Sequence, residues 1–115
     1  YKRQPMGVVL ERLNAGEADP ACPECGGILK SATISFGQNL VPEDLAQAEE
    51  AAQRCDLLLA VGSTLSVYPV AGLVPLAKQS GAKIVIVNGE PTAMDSLADA
   101  VLYGGIGELL PSLID

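Results

Sequence analysis

Two short, unbroken apolar runs constrain the fold of this 115-residue chain more than any other feature. Residues 57–61 and 84–87 contain no polar side chain, and such runs are typical of strands that are covered on both faces of a parallel sheet. The two runs begin 27 positions apart, close to the roughly 30 residues of a strand–helix–strand unit with a right-handed crossover. We therefore predict an α/β fold with a parallel sheet, in which residues 100–103 form a weaker third strand.

The segments around these strands predict helices. Residues 42–54 predict a helix because Pro42 suits a first turn and the acidic residues after it favour the positive end of the helix dipole. Met6 and the apolar residues that follow it at helical spacing predict a short helix that ends before Gly16. The remaining predicted elements are a helix over residues 69–80 that Pro75 bends or splits, a terminal helix over 108–114 and an alternating strand over 33–36.

The composition allows a packed core and excludes several classes of function. Hydrophobic residues make up 49% of the chain and charged residues 18%, so the chain is not a disordered acidic tail. A net charge of −7 without a cluster of Lys and Arg argues against nucleic acid as a partner. No apolar run reaches the roughly 18 residues of a membrane span, so we expect no membrane partner. The chain has no His, the commonest general base near neutral pH, and we expect no catalytic residue within it.

The three cysteines, an odd number, argue against a closed disulfide framework and favour a reducing compartment, for which the cytoplasm is the default. Cys22 and Cys25 lie in a Cys-Pro-Glu-Cys-Gly-Gly segment, which is half of a four-cysteine zinc knuckle. Cys55 lies on the apolar face of the predicted helix 42–54 and is interpreted as a small core residue. Because two thiolates make only half of a zinc tetrahedron, we expect zinc binding by this chain alone to be weak or absent.

Glycine and polar residues follow the predicted strands, at the positions where open parallel sheets bind ligands. Gly62 allows a ligand to approach the backbone, and the hydroxyls of Ser63 and Thr64 suit phosphate or ribose oxygens. Asn88 and Glu90 suit ribose hydroxyls in the same way. The residues alone leave an alternative open, since the same segments suit an ordinary helix cap and an Asn-Gly turn.

Taken in order, these motifs resemble the carboxyl-terminal half of the sirtuins, the NAD-dependent protein deacylases. The motifs are Cys-x-x-Cys-Gly-Gly at 22–27, Phe-Gly-Gln at 36–38, the segment from Asp56 to Pro69 and Ile-Val-Asn-Gly-Glu at 86–90. The resemblance implies a Rossmann-like three-layer sheet over residues 31–115 and a remnant of a zinc-binding module over residues 1–30. It also implies NAD and zinc as cofactors and an acyl-lysine protein or peptide as substrate, whose acyl group passes to ADP-ribose as nicotinamide is released.

The resemblance assigns a role to individual residues of this sequence. The residues implied to contact NAD are Ile34, Phe36, Gly62, Ser63, Thr64, Asn88, Glu90, Gly105 and Ile106. Those implied to contact the substrate peptide are Gly37, Gln38, Leu65, Ser66 and Val67, and those implied to bind zinc are Cys22 and Cys25. Two departures stand out, because Gln38 occupies a position where the family usually has Glu and the two hydroxyl residues after Gly62 stand in exchanged order.

The sirtuin resemblance covers only part of that family's machinery. Nothing in this sequence matches the family's glycine-rich phosphate loop, its catalytic His or its first zinc pair. The resemblance therefore implies a fragment of a bacterial-type sirtuin that is inactive alone. Such a fragment is expected to self-associate through an exposed sheet edge or the surface that faces the missing half. A second hypothesis is a free-standing, non-catalytic nucleotide-binding or interaction module. A third, the similar domain of thiamine-diphosphate enzymes, is disfavoured by the Cys-x-x-Cys segment.

Overall fold

The computed structural model describes residues 2–114, which fall into two units, one up to Asn39 and one from Leu40 onward. In the first unit, helix α1 spans Met6–Asn14 and an isolated antiparallel bridge joins Ala21 to Ile28. Helix α1 ends as predicted, because Gly16 follows it at a φ of 97° that suits glycine. The rest of this unit consists of turns and irregular backbone.

The second unit contains a three-stranded parallel sheet with helices, and it confirms the predicted α/β class. The strands lie in the order β1-β2-β3, so the strand in the middle of the sheet is also the second in sequence. Its elements are α2 (Pro42–Arg54), β1 (Leu57–Val61), a 3-10 turn (Val70–Gly72), α3 (Leu73–Gln79), β2 (Lys83–Asn88), a 3-10 turn (Asp95–Leu97), β3 (Ala100–Tyr103) and α4 (Ile106–Ser112).

The core lies between one face of this sheet and helices α2 and α3. Ile84 and Ile86 of the central strand are fully buried there, and the parallel register places Leu58 beside Ile84 and Ala60 beside Ile86. Small side chains form the opposing helix surface, which lets the helix backbones approach the sheet closely. The buried small residues of this cluster are Ala52, Ala71, Val74, Ala77 and Ala82.

The prediction that β1 is covered on both faces is wrong for the described chain. Leu57 and Leu59, on the face opposite the core, are 55% and 48% exposed. An apolar run indicates that a strand favours burial, but it does not show that the same chain covers both faces of the sheet. Here α2 and α3 cover one face of the sheet. Self-association through this surface or a sheet edge stays a prediction.

The predicted strand over residues 33–36 is also wrong. These residues have irregular backbone, and Phe36 is 92% exposed. A strand requires a hydrogen-bonded neighbour, and each strand in the described part of the chain pairs with another of the same three. Local alternation therefore predicted a conformation for which this structure provides no pairing partner.

The two remaining helix predictions are confirmed with shifted boundaries. The segment over 69–80 is split, but the break falls at Gly72 and Pro75 lies in the first turn of α3. Amide groups in a first turn have no intrahelical acceptor, so proline removes no hydrogen bond there. Helix α4 begins at Ile106 rather than at residue 108. None of the helices in the described chain is long and apolar enough to span a bilayer.

Asp99 joins three elements at the edge of the sheet where β2 begins. Its carboxylate accepts hydrogen bonds from the Ile84 amide at 2.9 Å and from Lys78 Nζ of α3 at 2.8 Å, with Lys83 Nζ at 3.5 Å. The Lys78 contact, followed by the Ile84 amide, lowers the pKa of Asp99 from 3.8 to about 2. The ionised carboxylate therefore favours the folded state.

We predict that Asp99 makes the fold sensitive to acid. Because the folded-state pKa lies below the unfolded one, the stabilisation is fully present above about pH 4 and is lost as the pH falls toward about 2. Urea unfolding of the Asp99→Asn variant should show a smaller loss of stability across this pH window than the parent chain. Glu49→Gln, which removes an exposed carboxylate on α2, is the control, and equal acid sensitivity of the Asp99 variant and the parent would contradict the prediction.

Candidate functional site

Three loops meet where the parallel strands end, and they contain most of the residues predicted to contact NAD. The Gly62 amide donates to the Val87 carbonyl at 2.9 Å, and the Gly104 amide donates to the Asn88 carbonyl at 3.1 Å. These bonds continue the sheet ladder past the strand ends. The structure thereby brings residues 62–64, 88–90 and 104–106 to one edge of the sheet, as the strand positions predicted.

Gly62 makes a turn that a larger residue would strain. Its φ is 64°, in the left-handed region, and a Cβ built at this position would lie 2.7 Å from Cδ1 of Ile106. That methyl group is the flexible end of its side chain and is able to shift, so the backbone conformation is the stronger constraint. Ile106, at the first position of α4, thus lies directly against the glycine turn after β1.

The two hydroxyl residues after Gly62 are exposed, and their side chains shape the loop. Ser63 Oγ accepts a hydrogen bond from the Leu65 amide at 3.2 Å, and Thr64 Oγ1 lies 2.8 Å from Ser66 Oγ. Leu65 has a φ of 52°, which is uncommon for a branched apolar residue, and its side chain packs against the core. Of the predicted peptide-contact residues in this loop, Leu65 therefore points inward whereas Val67 is largely exposed.

The loop after β2 combines one anchored and one free polar side chain. Asn88 Nδ2 donates to the Glu90 carbonyl at 2.8 Å and so closes the turn, while the Glu90 carboxylate is exposed. Gly105 is also exposed and precedes the first turn of α4. Exposed hydroxyls and an exposed carboxylate beside a glycine turn are able to bind the phosphate and hydroxyl groups of a nucleotide.

A hydrogen-bonded group beside these loops was missed by the sequence reasoning. The Tyr103 hydroxyl and the Thr92 hydroxyl both donate to the Asp95 carboxylate at 2.5 Å, and the Thr92 amide donates to it at 3.1 Å. The Thr92 contact, then that of Tyr103, lowers the pKa of Asp95, and the Asp95 contact raises the pKa of Tyr103. These residues follow no strand or helix period, so no pattern in the sequence indicates that they meet.

The cysteine segment of the first unit forms a tight knuckle. The Cys22 amide donates to the Gly27 carbonyl and the Gly26 amide donates to the Cys22 carbonyl, both at 2.8 Å. Cys22 is 5% exposed, and hydrogen bonds from the backbone amides of Cys25 and then Glu24 lower the pKa of its thiol. Within residues 2–114, no group of three or more His, Cys, Asp or Glu side chains is placed to hold a metal ion, so the knuckle provides a two-thiol half site.

The remaining predicted residues lie in an exposed turn of the first unit. The Gln38 amide donates to the Ser35 carbonyl at 3.0 Å, and the Ser35 amide donates to Gln38 Oε1 at 2.8 Å. Gly37 allows this turn with a φ of 85°. Ile34 and Phe36 are exposed on the same segment, and the turn leaves both apolar side chains open to contact.

The fold belongs to the Rossmann-like α/β class, and comparison with known proteins identifies the family. The Sir2 family model matches residues 6–69. The chain is 48% identical over 112 residues to NAD-dependent protein deacetylase 2 of Streptomyces coelicolor, covering 97% of this chain and 46% of that protein. It is 50% identical over 109 residues to an NAD-dependent protein deacetylase of Rhodopseudomonas palustris, covering 95% and 43%. The chain belongs to the Sir2 family, the sirtuins.

Solved sirtuin structures share this fold. Sir2Af2 bound to a myristoylated histone peptide gives a TM-score of 0.84 at 39% identity, covering 99% of this chain and 48% of that one. A Sir2 complex with a p53 peptide and NAD+ gives 0.80 at 29% identity, covering 98% and 47%. The Rossmann-like half-domain predicted from the sequence is thereby confirmed, and the chain spans about half the length of the relatives it matches.

We predict that Gly62→Ala destabilises the second unit by about 1 kcal/mol or more, because alanine disfavours a φ of 64° and Ile106 must also move. Urea unfolding measures the change. Gly107→Ala is the matched control: it lies within α4, has open space around its Cα and should be neutral or slightly stabilising. Equal stabilities of the two variants would contradict the assigned role of Gly62.

Proposed function

We propose that this chain supplies part of the NAD pocket and peptide-binding surface of a protein lysine deacylase. In that reaction the acyl group passes from a lysine side chain to the ADP-ribose of NAD, and nicotinamide leaves. The observation that carries the proposal is the meeting of three loops at the carboxyl edge of the sheet, with exposed hydroxyls at 63–64 and an exposed carboxylate at Glu90. Its support is the family membership, since the relatives named above are NAD-dependent protein deacetylases.

In the proposed complex, each loop binds a different part of the dinucleotide. The backbone at Gly62 lets a phosphate approach, and the hydroxyls of Ser63 and Thr64 donate hydrogen bonds to phosphate and ribose oxygens. Glu90 accepts hydrogen bonds from the adenosine ribose, on a turn that Asn88 closes. The residues proposed for the adenine side are Gly105 and Ile106, and those for the nicotinamide ribose and acyl-lysine region are Ile34 and Phe36.

The substrate peptide is proposed to bind as an extended strand. The residues proposed to contact it are Gly37, Gln38, Leu65, Ser66 and Val67. Pairing through the peptide backbone gives affinity without dependence on sequence. The exposed apolar side chain of Phe36 would border the acyl-lysine. A His general base would come from outside these 115 residues, because they contain none. We place the reaction in the cytoplasm of a bacterial cell.

A second candidate function is nucleotide binding without catalysis. This function requires only the loops at residues 62–64, 88–90 and 104–106, which the chain carries. Under this hypothesis the isolated 115-residue chain binds ADP-ribose measurably by calorimetry. The deacylase proposal instead expects weak or undetectable binding until the rest of a sirtuin domain is present.

We predict that Glu90→Gln raises the KM for NAD by roughly tenfold, with kcat little changed, because an amide binds ribose hydroxyls less strongly than a carboxylate. The measurement is nicotinamide release from NAD with an acetyl-lysine peptide, using the protein as its gene encodes it. Glu49→Gln, an exposed change on α2, should leave both constants unaltered. Absence of peptide-dependent nicotinamide release by the parent protein would overturn the deacylase proposal.

Zinc is proposed as a structural cofactor, held in part by Cys22 and Cys25. The knuckle fits this metal, because backbone amides donate to the Cys22 thiol and favour the thiolate that zinc binds. When bound by four thiolates, zinc supplies a rigid cross-link for a small module that has little core of its own. Zinc takes no part in the proposed reaction, and its role is to stabilise the fold of the small module.

We predict that Cys25→Ser removes most of the zinc from the purified, gene-encoded protein and leaves the fold of the sheet unit unchanged. Elemental analysis measures the metal, and circular dichroism measures the fold. Cys55→Ser is the matched control, because the Cys55 thiol donates to the Ala52 carbonyl of α2 and serine preserves that bond. Full zinc content in the Cys25 variant would contradict the assignment.

A further inference from the structure

Tyr103 ends β3 with its hydroxyl bonded to the connection between β2 and β3. The phenol donates to Asp95 Oδ2, and the same carboxylate binds both the hydroxyl and the amide of Thr92. Thr92 Oγ1 in turn accepts a hydrogen bond from the Met94 amide at 3.2 Å. Tyr103 and Thr92 are thus joined through the Asp95 carboxylate, and Met94 is linked to them through Thr92. We call these four residues the Tyr103 brace.

The brace reaches both nucleotide loops. The Ala93 amide, between Thr92 and Met94, donates to the Thr64 carbonyl at 3.1 Å. At the other end, Tyr103 is in register with Asn88, the residue that closes the turn carrying Glu90. The connection is therefore tied to the phosphate-side loop at Thr64 and to the ribose-side loop through β3.

The brace is not a core element. Tyr103 is 53% exposed, and its ring is not among the residues of the hydrophobic cluster. Met94, by contrast, is buried and fixes the middle of the connection against the core. Burial of Met94 thus contributes to stability, whereas the exposed hydrogen bonds from Tyr103 and Thr92 to Asp95 mainly fix where the surrounding backbone lies.

We propose that Tyr103 is a positioning residue for the dinucleotide: through Asp95 and Thr92, its hydroxyl fixes the spacing between the loop at 62–64 and the loop at 88–90. This inference rests on the proposed function, because the two loops are the ones assigned to the two ribose–phosphate halves of NAD. A fixed spacing avoids the ordering cost that mobile loops impose on binding. The brace acts on affinity for the ADP-ribose part and leaves the chemical step to other groups.

The test uses the protein as its gene encodes it, with ADP-ribose as the calorimetric probe and NAD as the kinetic one. Tyr103→Phe removes only the hydroxyl and should raise both the ADP-ribose Kd and the KM for NAD by roughly three- to tenfold, with kcat unchanged. Tyr68→Phe is the matched control, because Tyr68 is exposed and its hydroxyl has no hydrogen-bond partner among residues 2–114. Unchanged constants in the Tyr103 variant, beside a binding parent protein, would overturn the inference alone.

Asp95 variants keep the inference testable if Tyr103→Phe folds poorly. Asp95→Asn retains an acceptor for the phenol and for the Thr92 amide, so ADP-ribose affinity should stay near that of the parent, whereas Asp95→Ala should weaken it as Tyr103→Phe does. In the double variant of Tyr103→Phe with Asp95→Ala, the two effects should not add. Additive effects, or equal affinities of the two Asp95 variants, would overturn the brace. A parent protein that binds no ADP-ribose would overturn the proposed function and the inference with it.

Discussion

The burial of strand β2 is the interaction on which the second unit depends. Ile84, Ile86 and Val87 are fully buried, and each such side chain contributes about 1.5–3 kcal/mol relative to an exposed one. The strand also forms hydrogen bonds with a neighbour on each side, so the positions of β1 and β3 follow from it. The three loops at residues 62–64, 88–90 and 104–106 are in turn attached to the ends of these strands. The relative positions of these loops therefore depend on β2, a strand whose side chains are mostly apolar and lie in the core.

The polar groups at the two ends of the parallel strands differ in whether they are already hydrogen-bonded. At the edge where β2 begins, Asp99 binds the Ile84 amide and two lysines, an arrangement that stabilises the sheet and the end of α3. At the opposite edge, the hydroxyls of residues 63–64 and the Glu90 carboxylate face solvent. Polar groups that are already paired serve the fold, and those that remain exposed are available to a ligand. This division follows from the parallel strand direction, which collects all three carboxyl ends on one side.

The elements that the sequence predicted correctly are those determined by short-range chemistry. The apolar runs of β1 and β2, the proline that begins α2 and the glycine after α1 act on their own neighbourhoods. The failures involve partners distant in sequence. Among the described residues, the alternation at 33–36 has no pairing strand, and the second face of β1 is only about half covered. A local pattern specifies which groups favour pairing or burial, but the rest of the fold determines whether a partner is present.

The candidate site shows the same limit at finer scale. Its glycine and hydroxyl residues were predicted because they directly follow strands, a rule that needs only the order of residues. The contact of Tyr103 with Asp95 was not, because it crosses from β3 back to the preceding connection and has no period.

Leu65 shows how the core and the site are coupled. A left-handed φ at this residue is disfavoured, yet it directs the apolar side chain into the core, while its amide binds Ser63 Oγ on the exposed side. Core packing of the Leu65 side chain thereby offsets the backbone strain at this residue. The exchanged order of Ser63 and Thr64 is compatible with this arrangement, because both side chains carry a hydroxyl on Cβ and the backbone of the loop is fixed by Gly62 and Leu65 on either side. For the proposed binding of NAD, the backbone of this turn is therefore the main constraint, and it sets the positions of the two hydroxyls.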